Sequence, residues 1–235
     1  MSINSKTLKV GEFKIEVFKK SIKNIHLSIN PPNGNIKLSA PNQLDDEVIK
    51  FFIINKLGWI KKNIKKYRDQ PRENKKSYIS GESHFFKGKR YLLDVKEVNN
   101  DFGVKVVNNK LIMRVPINSN MLYREKMMTN WYRIELKNLI EDLMPKCEKI
   151  TDLKCNKFRV RIMKTLWGSC NILTKTITLN LELIKKPVYC LEYVIIHELT
   201  HLIERKHNSN FIYHMNKFMP KWETYRAELN NLPVK

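Results

Sequence analysis

Residues 194–211 read VIIHELTHLIERKHNSNF, and within them His197, Glu198 and His201 decide how the rest is read. Helical residues four apart share a face, so His197 and His201 can close on one metal ion with the Glu198 carboxylate beside it. Leu191, Ile195, Leu199 and Leu202 recur at helical spacing, which predicts a core-facing stripe on a helix opening near Pro187. A satisfied core histidine would account for either imidazole alone, but poorly for a His, Glu and His set.

A catalytic zinc keeps three protein ligands and a place for water, whereas a structural zinc usually takes four ligands. Glu204 shares the face, but seven residues of unbroken helix put its backbone roughly 10 Å along the axis from His197. His207 serves better if the helix ends first. Arg205 and Lys206 are cations suited to a helix C-terminus, and Asn208 or Ser209 can cap a following helix. The spacing H-E-x-x-H-x5-H is that of the metzincins, although Glu204 stands where their turn glycine would be.

A resemblance covers far more of the chain. MKTLWGSC at 163–170, ITLNLELI at 177–184, YVIIHELTHL at 193–202, His207, Phe211 and Pro220 resemble the YgjP-like metallopeptidase family, relatives of the SprT-type zinc domains. The Trp59-Ile60 helix end and the Gly88-Lys89 turn extend the likeness to the N-terminal half. The chain departs from the family at Leu166, often Arg there, and at Ile212, often Trp. The resemblance implies Zn²⁺ held by His197, His201 and His207, with Glu198 as general base, in a hydrolase acting on a peptide or protein. It also implies an alternative, since hydrolysis of the nucleoside triphosphate UTP to release pyrophosphate has been attributed within the family. Three imidazoles suit zinc, and nickel, cobalt or copper would bind them too.

The 235 residues are long enough for one large domain or two small ones. A composition 42% hydrophobic and 10% aromatic is that of a globular chain. Cys147, Cys155, Cys170 and Cys190 lack C-x-x-C spacing and secretory context, so they are expected to be reduced thiols in the cytoplasm. No stretch approaches the length and apolarity of a membrane span. A net charge of +21 makes an electrostatic case for a polyanion, nucleotide or nucleic acid, although no nucleic-acid motif accompanies it. A non-catalytic nucleic-acid-binding module with a structural metal is therefore a further alternative.

The fold class expected is α+β. Alternation at Phe13, Ile15 and Val17, at Ile25, Leu27 and Ile29, and at Ile36 and Leu38 after a Pro31-Pro32-Asn33-Gly34 turn predicts a small antiparallel sheet. One amphipathic helix is predicted over 45–67, with Ile49, Ile53, Leu57, Ile60, Ile64 and Tyr67 inward and Lys61, Lys62, Lys65 and Lys66 outward. A polar segment, 69–76, leads to strands around Tyr91, Val104 and Leu111, and no internal repeat is evident. A domain boundary is placed between 118 and 119. It separates a β-rich N-terminal region from a zincin-like catalytic domain, 119–235, whose H-E-x-x-H helix packs on a small sheet. There a helix ending at Pro145 precedes strands 158–163 and 176–181, the metal helix, and closing helices 210–219 and 222–229.

In this scheme zinc would lower the pKa of a bound water toward about 7, and Glu198 would take its proton. His214, Tyr213, Tyr193 and Arg161 are candidate donors to the developing oxyanion. Trp167, Gly168 and Ser169 are candidate substrate-binding residues: a strand edge beside the metal helix can pair with an extended peptide, and Gly168 permits close approach. Core packing is the competing explanation for Trp167 and Cys170, and Cys170 is expected to be buried. Lys164, Arg161 and Arg205 are the cations nearest the motif for a phosphate-bearing substrate.

Overall fold

The structure, a computed structural model, describes residues 5–30, 34–69 and 76–231, without the side chains of residues 66 and 67. The turn expected at 31–33, most of the polar segment 69–76, and the side chains of Lys66 and Tyr67 lie outside the described residues. Among those described are three mixed sheets and six α-helices, an α+β architecture. None of the helices is long and apolar enough to cross a membrane. The chain divides into two compact units, Met1–Gln70 and Pro71–Lys235.

In the first unit β1 (Ser5–Val10), β2 (Phe13–Lys20), β3 (His26–Asn30) and β4 (Asn35–Pro41) form a sheet in the order β1-β2-β4-β3. The expected antiparallel sheet is therefore corrected to a mixed one, since β2 and β4 run parallel. Ile36, Leu38 and Ala40 of β4 are at most 4% exposed, and the central position is where so apolar a strand face is fully covered. The single helix expected over 45–67 is two, α1 (Asp46–Asn55) and α2 (Leu57–Asp69). The break falls at Lys56, whose φ and ψ of −103° and 3° leave the helical region just before Gly58. It lets Ile49 and Ile53 on one helix and Ile60 and Ile64 on the next all enter the same core.

The second unit opens with the same arrangement. β5 (Ser83–Phe86), β6 (Lys89–Val98), β7 (Gly103–Val107) and β8 (Lys110–Pro116) run in the order β5-β6-β8-β7, with β6 and β8 parallel. β4 and β8 share one burial pattern, and both end in proline shortly before a helix. A repeat thus exists in topology where none is evident in residue identity. The boundary expected at 118 falls inside this unit, because Leu93, Leu111, Met113 and Val115 share one core with Met128, Leu136, Leu191 and Ile195.

The helix that follows, α3 (Met121–Thr151), is capped by Asn120, whose side chain accepts from the Tyr123 amide at 2.9 Å. It runs through Pro145 instead of ending there. Pro145 and Glu141 are exposed, so the carbonyl left without its N–H partner faces water, while Leu143, Met144, Cys147 and Thr151 are buried on the other side. A third sheet joins β9 (Lys157–Arg161), β10 (Gly168–Asn171) and β11 (Thr176–Asn180) in the order β10-β11-β9, leaving β10 at an edge. A 3-10 turn, Leu181–Lys185, leads into α4 (Val188–Thr200), then α5 (Ser209–Phe218) and α6 (Trp222–Asn231).

The β5–β6 hairpin fixes where α4 begins. The Lys87 amide donates to the Ile184 carbonyl at 2.7 Å and the Gly88 amide to that of Lys185 at 3.2 Å. Gly88 has φ +79°, and a Cβ there would lie 2.9 Å from Cα of Pro187, the residue that opens α4. Glycine is required on both counts.

Candidate metal centre

α4 ends at Thr200, with His201 as its C-cap, and the chain turns before reaching Glu204. Asn208 then caps α5, its side chain accepting from the Phe211 amide at 3.0 Å. This turn brings His207 back over the helix. One nitrogen each from His197, His201 and His207 lies within 4.8 Å of the others. Nε2 of His207 and Nε2 of His197 are 3.0 Å apart. Tetrahedral ligation at about 2.0–2.1 Å places ligand nitrogens roughly 3.3 Å from one another, so this donor set fits one such ion with small adjustments.

Three features hold the imidazoles. Phe211, 1% exposed, contacts all three rings at centroid distances of 4.9, 4.9 and 4.7 Å and forms an apolar floor beneath them. Nδ1 of His201 lies 3.0 Å from the Glu204 carbonyl oxygen, which favours the Nδ1–H tautomer and leaves Nε2 as the electron-pair donor. Glu204 thus acts through its main chain. Its carboxylate accepts from the Lys206 amide and the Asn210 side chain. Thr200 ties α4 to α5, donating to the Ile196 carbonyl and contacting Sδ of Met215 at 3.4 Å.

Burial, then the neighbouring imidazoles and Arg226, lower the pKa of His197 to about 3, and burial lowers that of His207 as well. Both are therefore neutral and able to ligate at neutral pH. Glu198 is 5% exposed, its Oε2 has no hydrogen-bond partner, and burial raises its carboxyl to about 8. An unpartnered buried carboxylate oxygen, on the residue that follows His197 in α4, is a group that a bound water would satisfy.

Of the sequence candidates around this centre, Gly168 is the closest packed. A Cβ on it would lie 2.7 Å from Oε1 of Glu198 and 2.9 Å from Cγ1 of Val194. The main chain of edge strand β10 therefore runs directly against the carboxylate. Trp167, Ser169 and Cys170 are half-buried, with Lys186 over the Trp167 ring. Cys170 is less buried than expected, and desolvation followed by the nearby Glu198 pushes its thiol up to about 11. Tyr193, 5% exposed, places its ring 5.7 Å from that of His197. Tyr213 is 63% exposed, while the His214 ring stacks on Phe218 at 5.7 Å. Arg161, Lys164 and Arg205 are exposed.

Two contributors were not singled out from sequence. Asn180, 4% exposed, donates to the carbonyls of Met163 and Leu166, both at 2.8 Å, and accepts from the Glu182 amide at 3.2 Å. It fixes the loop that delivers β10; a buried Asn at the end of an apolar strand was the available signal. Arg226 of α6 lies one turn beyond Trp222, its guanidinium carbon 5.9 Å from that ring, and its charge bears on Tyr193, His197 and His207. Only the packing of α6 against α4 reveals it.

A family model described as the YgjP-like metallopeptidase domain matches residues 23–232. No curated protein matches. Among solved structures, the metallopeptidase zymogen abylysin of Pyrococcus abyssi is similar at 24% identity and a TM-score of 0.36, covering 40% of this chain and 99% of that one. The zymogen jannalysin of Methanocaldococcus jannaschii is similar at 20% and 0.35, covering 38% and 92%. These likenesses are too distant to bear on the site.

Proposed function

The chain belongs to the YgjP-like metallopeptidase family, a family of metal-dependent hydrolases, and on that premise we propose a zinc-dependent peptidase with a zincin-like C-terminal unit. His197, His201 and His207 hold the ion and Glu198 is the general base. The observation that carries this reading is the convergence of three imidazole nitrogens within 4.8 Å. Glu198, next to His197 in α4, carries a buried carboxylate oxygen without a hydrogen-bond partner. The ion, when bound, polarises a carbonyl and acidifies water.

The chain's own groups then do the following. Glu198 accepts the proton of the attacking water on its buried carboxylate and passes it to the departing amine nitrogen. Burial makes that carboxylate, once ionised, a stronger base than a solvated one. Phe211 and the Glu204 carbonyl keep the imidazoles in ligating orientation. Trp167, Gly168 and Ser169 form the substrate edge, where a peptide pairs with β10 by main-chain hydrogen bonds. That pairing lays a carbonyl of the peptide alongside Glu198. Tyr193 is the best-placed of the candidate oxyanion donors, because its ring adjoins His197.

A nucleoside triphosphate would need several cations converging on the same point. Among the groups that act on both His197 and His207, Arg226 supplies the cation. A single guanidinium is a thin complement for a triphosphate. The four free thiols suit a reducing compartment, and we place the protein in the cytoplasm.

The test compares the zinc-loaded protein with Glu198→Gln on an unfolded protein and on UTP, with metal content measured on both. Protein cleavage lost in the variant while metal is retained is the expected result. Pyrophosphate release with the same dependence would move the substrate class, and undiminished cleavage by the variant would overturn the role of Glu198.

A further inference from the structure

Between α3 and β7 lies a cavity of about 450 Å³ that the metal centre does not use. Phe102 and Val104 line it from the strand side, and Tyr123, Met127, Trp131 and Ile134 from the helix, with Lys126 and Asn130 as the polar lining. Its walls are unusual for a surface left to water. Phe102 is 46% exposed, Tyr123 40% and Ile134 57%, and Val106, on the same strand face as Val104, continues the apolar surface along β7.

In the first unit the corresponding helix also meets its edge strand. There α2 packs against the edge strand β3, and a Cβ on Gly34 would lie 3.1 Å from Ile64, whose own side chain is buried.

β7 is the last strand in the order β5-β6-β8-β7 and pairs only with β8 among the described strands. Alternate residues of such an edge direct their N–H and C=O groups outward. An edge strand flanked by a helix and an apolar cavity is the geometry in which an extended chain adds as a further strand. In an extended chain the side chains of residues i and i+2 enter one face about 7 Å apart, so a cavity of this size accepts two of them.

Charge selects the occupant. Lys105 lies on the exposed edge, Lys110 stands opposite Val107, and Lys126 lines the cavity. A lysine on an edge strand repels like-charged chains, and a second copy of this chain carries +21. The same lysines attract carboxylates. We propose that the groove between β7 and α3 docks an extended acidic polypeptide segment, its main chain pairing with β7 and its alternate apolar side chains entering the cavity.

The probe is a fluorescent ten-residue peptide alternating Asp and Leu, titrated by anisotropy against full-length protein carrying E198Q so that it is not cut. A Lys and Leu peptide is the charge control. The expected result is saturable binding of the acidic probe, weakened at least tenfold by Ile134→Asp and by Lys126→Glu. Leu173→Asp, at an apolar side chain 95% exposed and outside the groove, leaves binding unchanged. Both groove positions are exposed, so the folded state survives substitution, as thermal unfolding will verify. The proposal is overturned if the acidic probe does not bind, if the Lys and Leu peptide binds equally, or if Leu173→Asp weakens binding as much as Ile134→Asp. A concentration-dependent dimer that Ile134→Asp abolishes would assign the groove to a second copy, and also overturn it.

Discussion

Replacing Gly168 by Ala adds one methyl group at the point where the edge strand touches Glu198, the proposed general base. That methyl would sit 2.9 Å from Cγ1 of Val194, inside the optimum of roughly 3.5–4.0 Å for carbon pairs by about 0.6–1.1 Å. It would also sit 2.7 Å from Oε1 of Glu198. α4 is anchored in the core through Leu191, Ile195 and Leu199, so the strand and the Glu198 side chain must give way. Overpacking of this kind costs about 1–3 kcal/mol of stability. A displacement of order 1 Å at a reacting group costs about a hundredfold in rate, equivalent to about 2.7 kcal/mol of barrier. The three atoms nearest that methyl belong to Glu198 and Val194, so metal content should be unchanged. Turnover on an unfolded protein, zinc stoichiometry and thermal unfolding of Gly168→Ala measure all three. Full activity with wild-type stability would refute the claim that β10 sets the position of the carboxylate.

Phe211→Ala removes the floor under the three imidazoles and should cost about 3–5 kcal/mol in urea unfolding. It should also speed zinc transfer to a competing chelator, through ligands that have lost their common support. Pro145→Ala restores the missing helical N–H and should stabilise the protein, by up to about 3 kcal/mol less the gain in unfolded-chain entropy, read in the same urea assay. His84, 3% exposed, is held below its ordinary value of 6.5 by burial. The unfolded chain therefore binds more protons there, so this stability is complete above about pH 6.5 and is lost as pH falls from that value toward the lower folded pKa. His84→Gln should flatten that part of the melting temperature against pH, measured from roughly pH 7.5 to pH 5.

The convergence of the three imidazoles was legible in the sequence because its logic is local. Helical spacing put His197 and His201 on one face, and the capping chemistry of Asn208 ended one helix early enough for His207 to return. Pairing order is not local. Alternation in Ile36 and Leu38 announces a strand, but nothing in it says that β4 will insert between β2 and β3 and run parallel to β2. Pro145 misled for the converse reason: the local penalty is real, but burial of Leu143, Met144, Cys147 and Thr151 on the opposite side outweighs it. Arg226 and Asn180 were missed because each acts on residues distant in sequence, Arg226 on His197 and Asn180 on Met163.

The two copies of the four-stranded arrangement show how one topology is turned to different ends. Each contains a hairpin whose tip carries a glycine at positive φ, Gly11 at +58° and Gly88 at +79°. A Cβ on Gly11 would meet nothing within 4 Å, so that glycine answers only to its own turn. A Cβ on Gly88 would strike the backbone of Pro187, and the adjacent amides of Lys87 and Gly88 occupy the carbonyls of Ile184 and Lys185. The second hairpin therefore clamps the start of α4, ten residues before His197. At its other end α4 is held by α5 through Thr200 and Met215. A helix fixed at both ends holds its stripe in one rotational setting, and that setting is what directs His197 and His201 toward the returning His207 while Glu198 faces β10.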